Sequence, residues 1–176
     1  MPKSSALACI CALLAAISCS RKDPPAEATV VHQEQPYAGM ASVVRTNDHK
    51  LTGQLLKGFH QVEQGSWRWT EKQFSVALKI PATGRPSALR LQFALSPAVL
   101  ARLGPVSLAA TVNGVALPPE TYPQAGQQVY RREIPAAALT GAIARADFQL
   151  DKALPPGNTD KRELAVIVTS VGLEAM

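Results

Sequence analysis

Alternation of apolar and polar side chains dominates the second half of the chain. Phe74, Val76, Leu78 and Ile80 alternate with Ser75, Ala77 and Lys79, and Leu89, Leu91, Phe93 and Leu95 alternate with Arg90, Gln92 and Ala94. A period of two sends successive side chains to opposite faces, so each run predicts a strand with one face toward a core and one toward water. Val106, Leu108, Ala110 and Val112 repeat the pattern as far as Asn113-Gly114, and Val115-Ala116-Leu117 resumes it. Asn-Gly between apolar runs predicts a type I′ hairpin, whose turn needs positive φ at both central residues. Further strands are predicted over 128–134, 144–150 and 164–173. The last is apolar at both parities across Ala165-Val166-Ile167-Val168, as expected of a central strand covered on both faces.

Helical signals are brief. Ser96 as N-cap, Pro97 at the first helical position and Gly104-Pro105 as the stop bound one short helix over Ala98 to Leu103. Pro135-Ala136-Ala137-Ala138-Leu139 predicts one more turn. Neither is long enough for the crossover of a parallel βαβ unit, which takes about a dozen residues or more. Short strands at turn-marked spacing with minor helices therefore predict an all-β, antiparallel sandwich with one or two short helices, assigned to residues 54–176.

The first half reads differently. Lys3 precedes an apolar run from Ala6 to Ile17, followed by Ser18 and Cys19. A run of about a dozen residues is a secretory leader and not a span, because a helix crossing a bilayer takes ~20. The small residue before Cys19 resembles the bacterial lipobox, although Ala16 stands where Leu is preferred. That resemblance implies removal of residues 1–18, acylation of Cys19 and a lipid-anchored protein of the cell envelope. Ser20 after the cysteine points to the outer membrane, with the periplasmic face of a membrane as the broader expectation. From 19 to 53 the text mixes Pro, Ala, Gln and charges without a sustained period. It is read as a flexible tether.

Composition then excludes several classes. All three cysteines, Cys9, Cys11 and Cys19, precede residue 20, so neither a disulfide framework nor a cysteine metal site is available to the domain. Without the leader, 17 basic residues face 13 acidic ones, and the adjacent basic pairs are scattered. A nucleic-acid footprint wants a clustered stripe, so no nucleic-acid partner is expected. Nucleotide, dinucleotide, metalloprotease and serine-hydrolase motifs are absent from the sequence. His60 is the one histidine beyond residue 53, and a lone histidine of this kind is more often structural than catalytic. Neither a cofactor nor a metal is expected, and the chain is read as no enzyme.

Gly58-Phe59, Glu63, Trp67-Arg68-Trp69-Thr70, Val112-Asn113-Gly114, Ile134-Pro135 and Asp160-Lys161-Arg162-Glu163-Leu164 occur in that order. This series resembles the small β-sandwich modules found beside bacterial glycosyltransferases and in bacterial lipoproteins, which look like galactose-binding-type jelly rolls. The resemblance implies a jelly-roll-like topology and a carbohydrate-binding-like role, with Ala165 in place of the usual Gly. It yields the leading expectation of a non-catalytic envelope lipoprotein that recognises a polysaccharide. The alternative is a structural or assembly lipoprotein that binds another envelope protein.

The candidate ligand-binding residues are Glu63, Trp67, Arg68 and Trp69. On a strand the two indoles share one face and Arg68 takes the other. Indoles stack on sugar rings, and Glu63 and Arg68 can bond hydroxyls. With 5% aromatic residues, the competing and favoured reading places both tryptophans in the middle of the core and pairs Glu63 with Arg68 or Arg162. Replacing Arg68 is then expected to cost far less stability than replacing Trp69, unless its charge partner is buried. Paired carboxylates drawn from Glu63, Asp147 and Asp160, or a calcium held by Asn158, Asp160 and Glu163, are weaker readings. Tyr122 and Tyr130 are ambiguous between core and surface.

Overall fold

The structure is a computed structural model that describes residues 39–81 and 88–175. The leader 1–18, Cys19 and the part of the assigned tether up to residue 38 lie outside the described residues. The strands are β1 (Val43–Arg45), β2 (Leu55–Glu63), β3 (Trp67–Lys79), β4 (Ala88–Leu95), β5 (Val106–Val112), β6 (Val115–Tyr122), β7 (Gly126–Glu133), β8 (Ile143–Leu150) and β9 (Ile167–Glu174). Helix α1 (Pro97–Leu103) begins where Ser96 Oγ accepts from Ala98 N and ends at Gly104. Two 3₁₀ segments, His49–Gln54 and Ala136–Ala138, complete the elements.

Every strand pair is antiparallel, and the ladder runs β6-β5-β8-β3-β9-β4-β7, with β1 added to β9 and β2 to β3. The sheet curls almost to closure, giving the all-β sandwich that the alternation predicts. Asn113 and Gly114 both take positive φ between β5 and β6, as the hairpin requires. Strand β9 is central, flanked by β4 on one edge and by β3 and β1 on the other.

The core is aromatic, but tryptophan is not its centre. Phe74, Phe93 and Tyr130 are the largest fully enclosed side chains. Phe74 stacks on Phe148 at 4.8 Å, and Phe93 meets Tyr122 edge-on at 4.9 Å. Both tyrosines are therefore core residues. Burial raises the Tyr130 phenol to about 12, and its hydroxyl donates to Pro118 O at 2.9 Å.

Strand β3 changes partners along its length. Arg68 and Trp69 lie opposite Val168 and Ile167 of β9, whereas Gln73 to Lys79 lie opposite Gln149 to Ile143 of β8. The strand thus belongs to both layers of the sandwich. Near the fork and toward the far end of β3, backbone groups that a continuous ladder would satisfy are met by side chains. Gln54 Nε2 donates to Ala41 O and Ala77 O, and its Oε1 accepts from Ala41 N. This carboxamide stands in for a peptide unit between two stretches of chain. Arg68 Nε donates to Thr46 O at 2.7 Å and its Nη1 to His60 O at 2.9 Å. Thr46 Oγ1 in turn donates to Val168 O.

Residues 41–54 are accordingly part of the folded domain, which corrects the tether boundary at 53. Val44 is fully enclosed, and Thr46 and Gln54 are buried with it. The segment docks by hydrogen bonds and the apolar side chains of Val44 and Leu51, so it carries no periodicity from which the sequence could reveal it. A second close approach fixes β2. Gly58 has φ +74, and a Cβ there would lie 2.0 Å from Gln73 O. Only glycine allows β2 to bulge this tightly against β3.

The stretch after β8 is clasped to the β2–β3 hairpin. Arg162 forks onto both oxygens of Asp160 and reaches Glu63 Oε1 at 2.6 Å. Glu163 Oε1 accepts from Lys72 N, and the Glu163 carbonyl accepts from His60 Nε2 at 2.7 Å. A carbonyl cannot donate, so His60 carries its proton on Nε2.

Three expectations follow from these contacts. Arg68→Met leaves two carbonyls without their donor and lowers unfolding stability by about 3 kcal/mol, and Arg68→Lys does not restore it because an ammonium lacks the fork; urea melts measure both. A chain beginning at residue 39 melts like the full chain, whereas one beginning at residue 55 loses the cooperative transition in calorimetry. Hydrogen bonds from Arg162 hold the Asp160 carboxyl at about 2, below its ordinary 3.8. The stabilisation this clasp supplies is complete above that ordinary value and is lost as the pH falls through the depressed one. Carboxyl carbon NMR reads the Asp160 midpoint near 2, and Arg162→Gln returns it toward 3.8.

Candidate binding groove

The four residues singled out in the sequence do not converge on one surface. Glu63 is ion-paired with Arg162. Arg68 points inward with 6% of its surface exposed; it has no carboxylate partner among the described residues and bonds two backbone carbonyls instead. Its enclosure removes it as a ligand contact, and its partners are two carbonyls where the sequence suggested a carboxylate. Trp69 is half-buried and packs against the edge of the core. Trp67 is half-buried beside Glu63, with its indole N–H enclosed and without an acceptor. Trp69 therefore borders the core and neither indole forms its middle, because the phenylalanines and tyrosines already fill it.

The weaker readings separate as well. Asp160 serves Arg162 and Glu163 serves Lys72, so their oxygens do not face a common point. Among the described residues no group of three His, Cys, Asp or Glu side chains is placed to hold a metal. Asp147 forks with Arg145 on β8, a different partner from those of Glu63 and Asp160.

A recess lies elsewhere, on the outer face of the layer formed by β2, the second half of β3, β8, β5 and β6. It is a groove of about 480 Å³ bounded by Lys57 on β2 and by Leu117 and Pro119 on β6. Strand register aligns its side chains in rows. Lys57 lies opposite Ser75, Ser75 opposite Asp147, Asp147 opposite Thr111 and Thr111 opposite Ala116. A second row runs Gln73, Gln149, Ala109. The Phe74, Phe148 and Ala110 positions form the floor, and all three are core residues. The groove's base is therefore the packed sheet, which holds the rows in fixed register.

Most polar groups in the groove have partners. Lys57 Nζ donates to Gln73 Oε1 at 3.2 Å, Gln149 Nε2 to Leu150 O, and Arg145 is neutralised by Asp147 at 2.8 Å. Ser75 is the enclosed one that has none. The residue is 1% exposed, and its Oγ has no hydrogen-bond partner. An enclosed hydroxyl without a partner costs about 1–3 kcal/mol, and here it lies along the groove. The arrangement offers hydroxyl, carboxamide, carboxylate and cationic groups in short range over a rigid floor. It suits a ligand rich in hydroxyls and amides.

The alternation in the sequence marks Ser75, Arg145, Asp147 and Thr111 as wet-face positions but gives no hint that three of them form one row. That juxtaposition depends on pairing β3 with β8 and β8 with β5, residues tens of positions apart. The aromatic signal drew attention to the hairpin at Trp67, while the groove is built largely from small and amide side chains.

Comparison with known proteins adds little to this geometry. No protein-family model matches the chain, and no curated protein matches it. Among solved structures the chain is similar to part of dimeric latent PorU from Porphyromonas gingivalis, with a TM-score of 0.35 and 14% identity over 58% of this chain and 10% of that one. The chain thus spans about a tenth of that protein's length.

Proposed function

We propose that the chain is a non-catalytic, envelope-anchored lipoprotein whose β-sandwich holds a carbohydrate-like polymer in the groove between Lys57 and Pro119. The anchor is the lipid on Cys19, and the partner is a polysaccharide. The single observation that carries the reading is Ser75, an enclosed hydroxyl without a partner in a row with Asp147 and Thr111. Sugar hydroxyls both donate and accept, so one of them completes Ser75 while neighbours reach Asp147 and Thr111. The groove crosses five strands, a span of about 19 Å at the spacing of paired strands, which suits an extended chain better than one small molecule.

Two further observations support binding without catalysis. The His60 ring is committed to the Glu163 carbonyl. Asp160 is pushed down to about 2, the opposite of what a general acid for glycoside cleavage requires. Docking of a second envelope protein on an apolar face has less support. The exposed large hydrophobic residues Val43, Leu56 and Val129 lie on three strands, β1, β2 and β7, none of which pairs with another, so no two of them are neighbours across a strand pair.

The expected behaviour of Ser75→Ala separates this reading from a structural role. Losing an unpartnered hydroxyl leaves the melting temperature unchanged or raised, yet it weakens retention by glycans. Affinity electrophoresis of the full chain through gels containing xylan, mixed-linkage glucan, mannan or glycol chitin measures retention. Retardation of the wild type in at least one gel, reduced in Ser75→Ala, is the expected result. Unretarded migration in all four, or identical retardation of the variant, overturns the reading.

A further inference from the structure

We infer that the groove is built for an acetamido sugar, a residue carrying an N-acetyl group beside its hydroxyls; this rests on the glycan reading above. The row Lys57, Ser75, Asp147, Thr111, Ala116 changes character along its length. It begins with groups that bond hydroxyls and ends in a methyl. Ala109 and Pro119 lie at the same end, so this part of the groove offers a surface of small apolar groups.

An acetamido group has matching polarity: an N–H that donates, a carbonyl that accepts and a methyl that avoids water. Thr111 and Ala116 face each other directly across β5 and β6, which sets their β-carbons about 5 Å apart. Asp147 stands on the other side of Thr111. An amide N–H at this point finds an acceptor in Thr111 Oγ1 or the Asp147 carboxylate while its methyl rests on Ala116 and Ala109. A plain hydroxyl in the same place can donate to the same oxygens but has no methyl to rest on the alanines. Charge also favours a neutral sugar, because the Arg145 guanidinium is forked onto Asp147. The alanines create the room: a larger side chain at 109 or 116 would occupy it.

The test is titration calorimetry of the full chain with tri-N-acetylchitotriose and with cellotriose, which shares the linkage and the other hydroxyls but lacks the acetamido groups. Chitotriose is expected to bind at least tenfold more tightly, in line with discrimination by one small apolar group and one hydrogen bond. Ala116→Leu, at an exposed position, is expected to keep the melting temperature and to reduce chitotriose affinity at least tenfold, leaving cellotriose affinity within threefold. Thr111→Val tests the hydroxyl side in the same way without a change in size. Equal affinity for the two trisaccharides, or chitotriose binding indifferent to both substitutions, overturns the acetamido assignment while the glycan reading stands. Failure of chitotriose alone, with retardation in a gel of another polysaccharide, does the same. Failure in all glycans overturns the underlying reading as well.

Discussion

Everything in this domain depends on how β3 leaves β9. A strand that pairs with β9 at Arg68 and Trp69 and with β8 from Gln73 onward joins two layers without a loop. The change of partner breaks the ladder, and buried peptide groups with no partner are costly. The chain satisfies them with long polar side chains. Arg68 supplies two donors to carbonyls of two different segments at the fork, and Gln54 supplies a carboxamide where a peptide would be toward the far end of β3. Apolar residues of the same volume would pack but could not meet these groups. The buried polar residues at the fork thus reflect topology and not ligand chemistry.

The other end of the ladder presents the reverse problem. β6 and β7 are the terminal strands of the path, and Pro118 and Pro119 in β6 have no N–H to pair with a neighbour. Their carbonyls are instead taken by Tyr130 and Arg132 of β7, with Arg132 lying over the Tyr130 ring and paired to Glu120 at 2.7 Å. Side chains thereby draw the two edges together, and the prolines discourage another strand from adding there. Closure at this seam and at the β3 fork holds both faces of the sandwich in fixed register. The groove inherits its rigidity from these two closures.

What the sequence makes legible follows the same division. Strands whose side chains alternate strictly, such as Leu89 to Leu95 and Ala144 to Leu150, read directly, because burial of every second residue writes the period into the text. The Asn113-Gly114 turn and the Ser96-capped helix read from local backbone chemistry. Residues 41–54 do not, since Gln54 and Thr46 are buried for their hydrogen bonds and carry no apolar pattern. Arg68 misleads in the same manner: an arginine beside two tryptophans looks like a ligand contact until the carbonyls of Thr46 and His60 are placed around it. The groove is legible only as a set of wet-face positions. Its rows are products of long-range register, which periodicity within a strand cannot supply.

Position 75 sets the local needs of the fold against those of a ligand. Ala77 lies two residues along β3 on the same face and is also buried, so a methyl group fits this surface. Packing therefore gives no reason for a hydroxyl at 75, and desolvation gives a reason against one. Measured against a typical domain stability of about 5–15 kcal/mol, an unpartnered enclosed hydroxyl is a sizeable sacrifice. Under the proposed reading a ligand offsets that cost, because Ser75 lies along the groove with Asp147 and Thr111, where an external hydroxyl or amide can approach. The polar residues at the fork are satisfied within the protein and specify its shape. The one polar atom of the groove that the fold encloses without a partner is the atom that argues for a ligand.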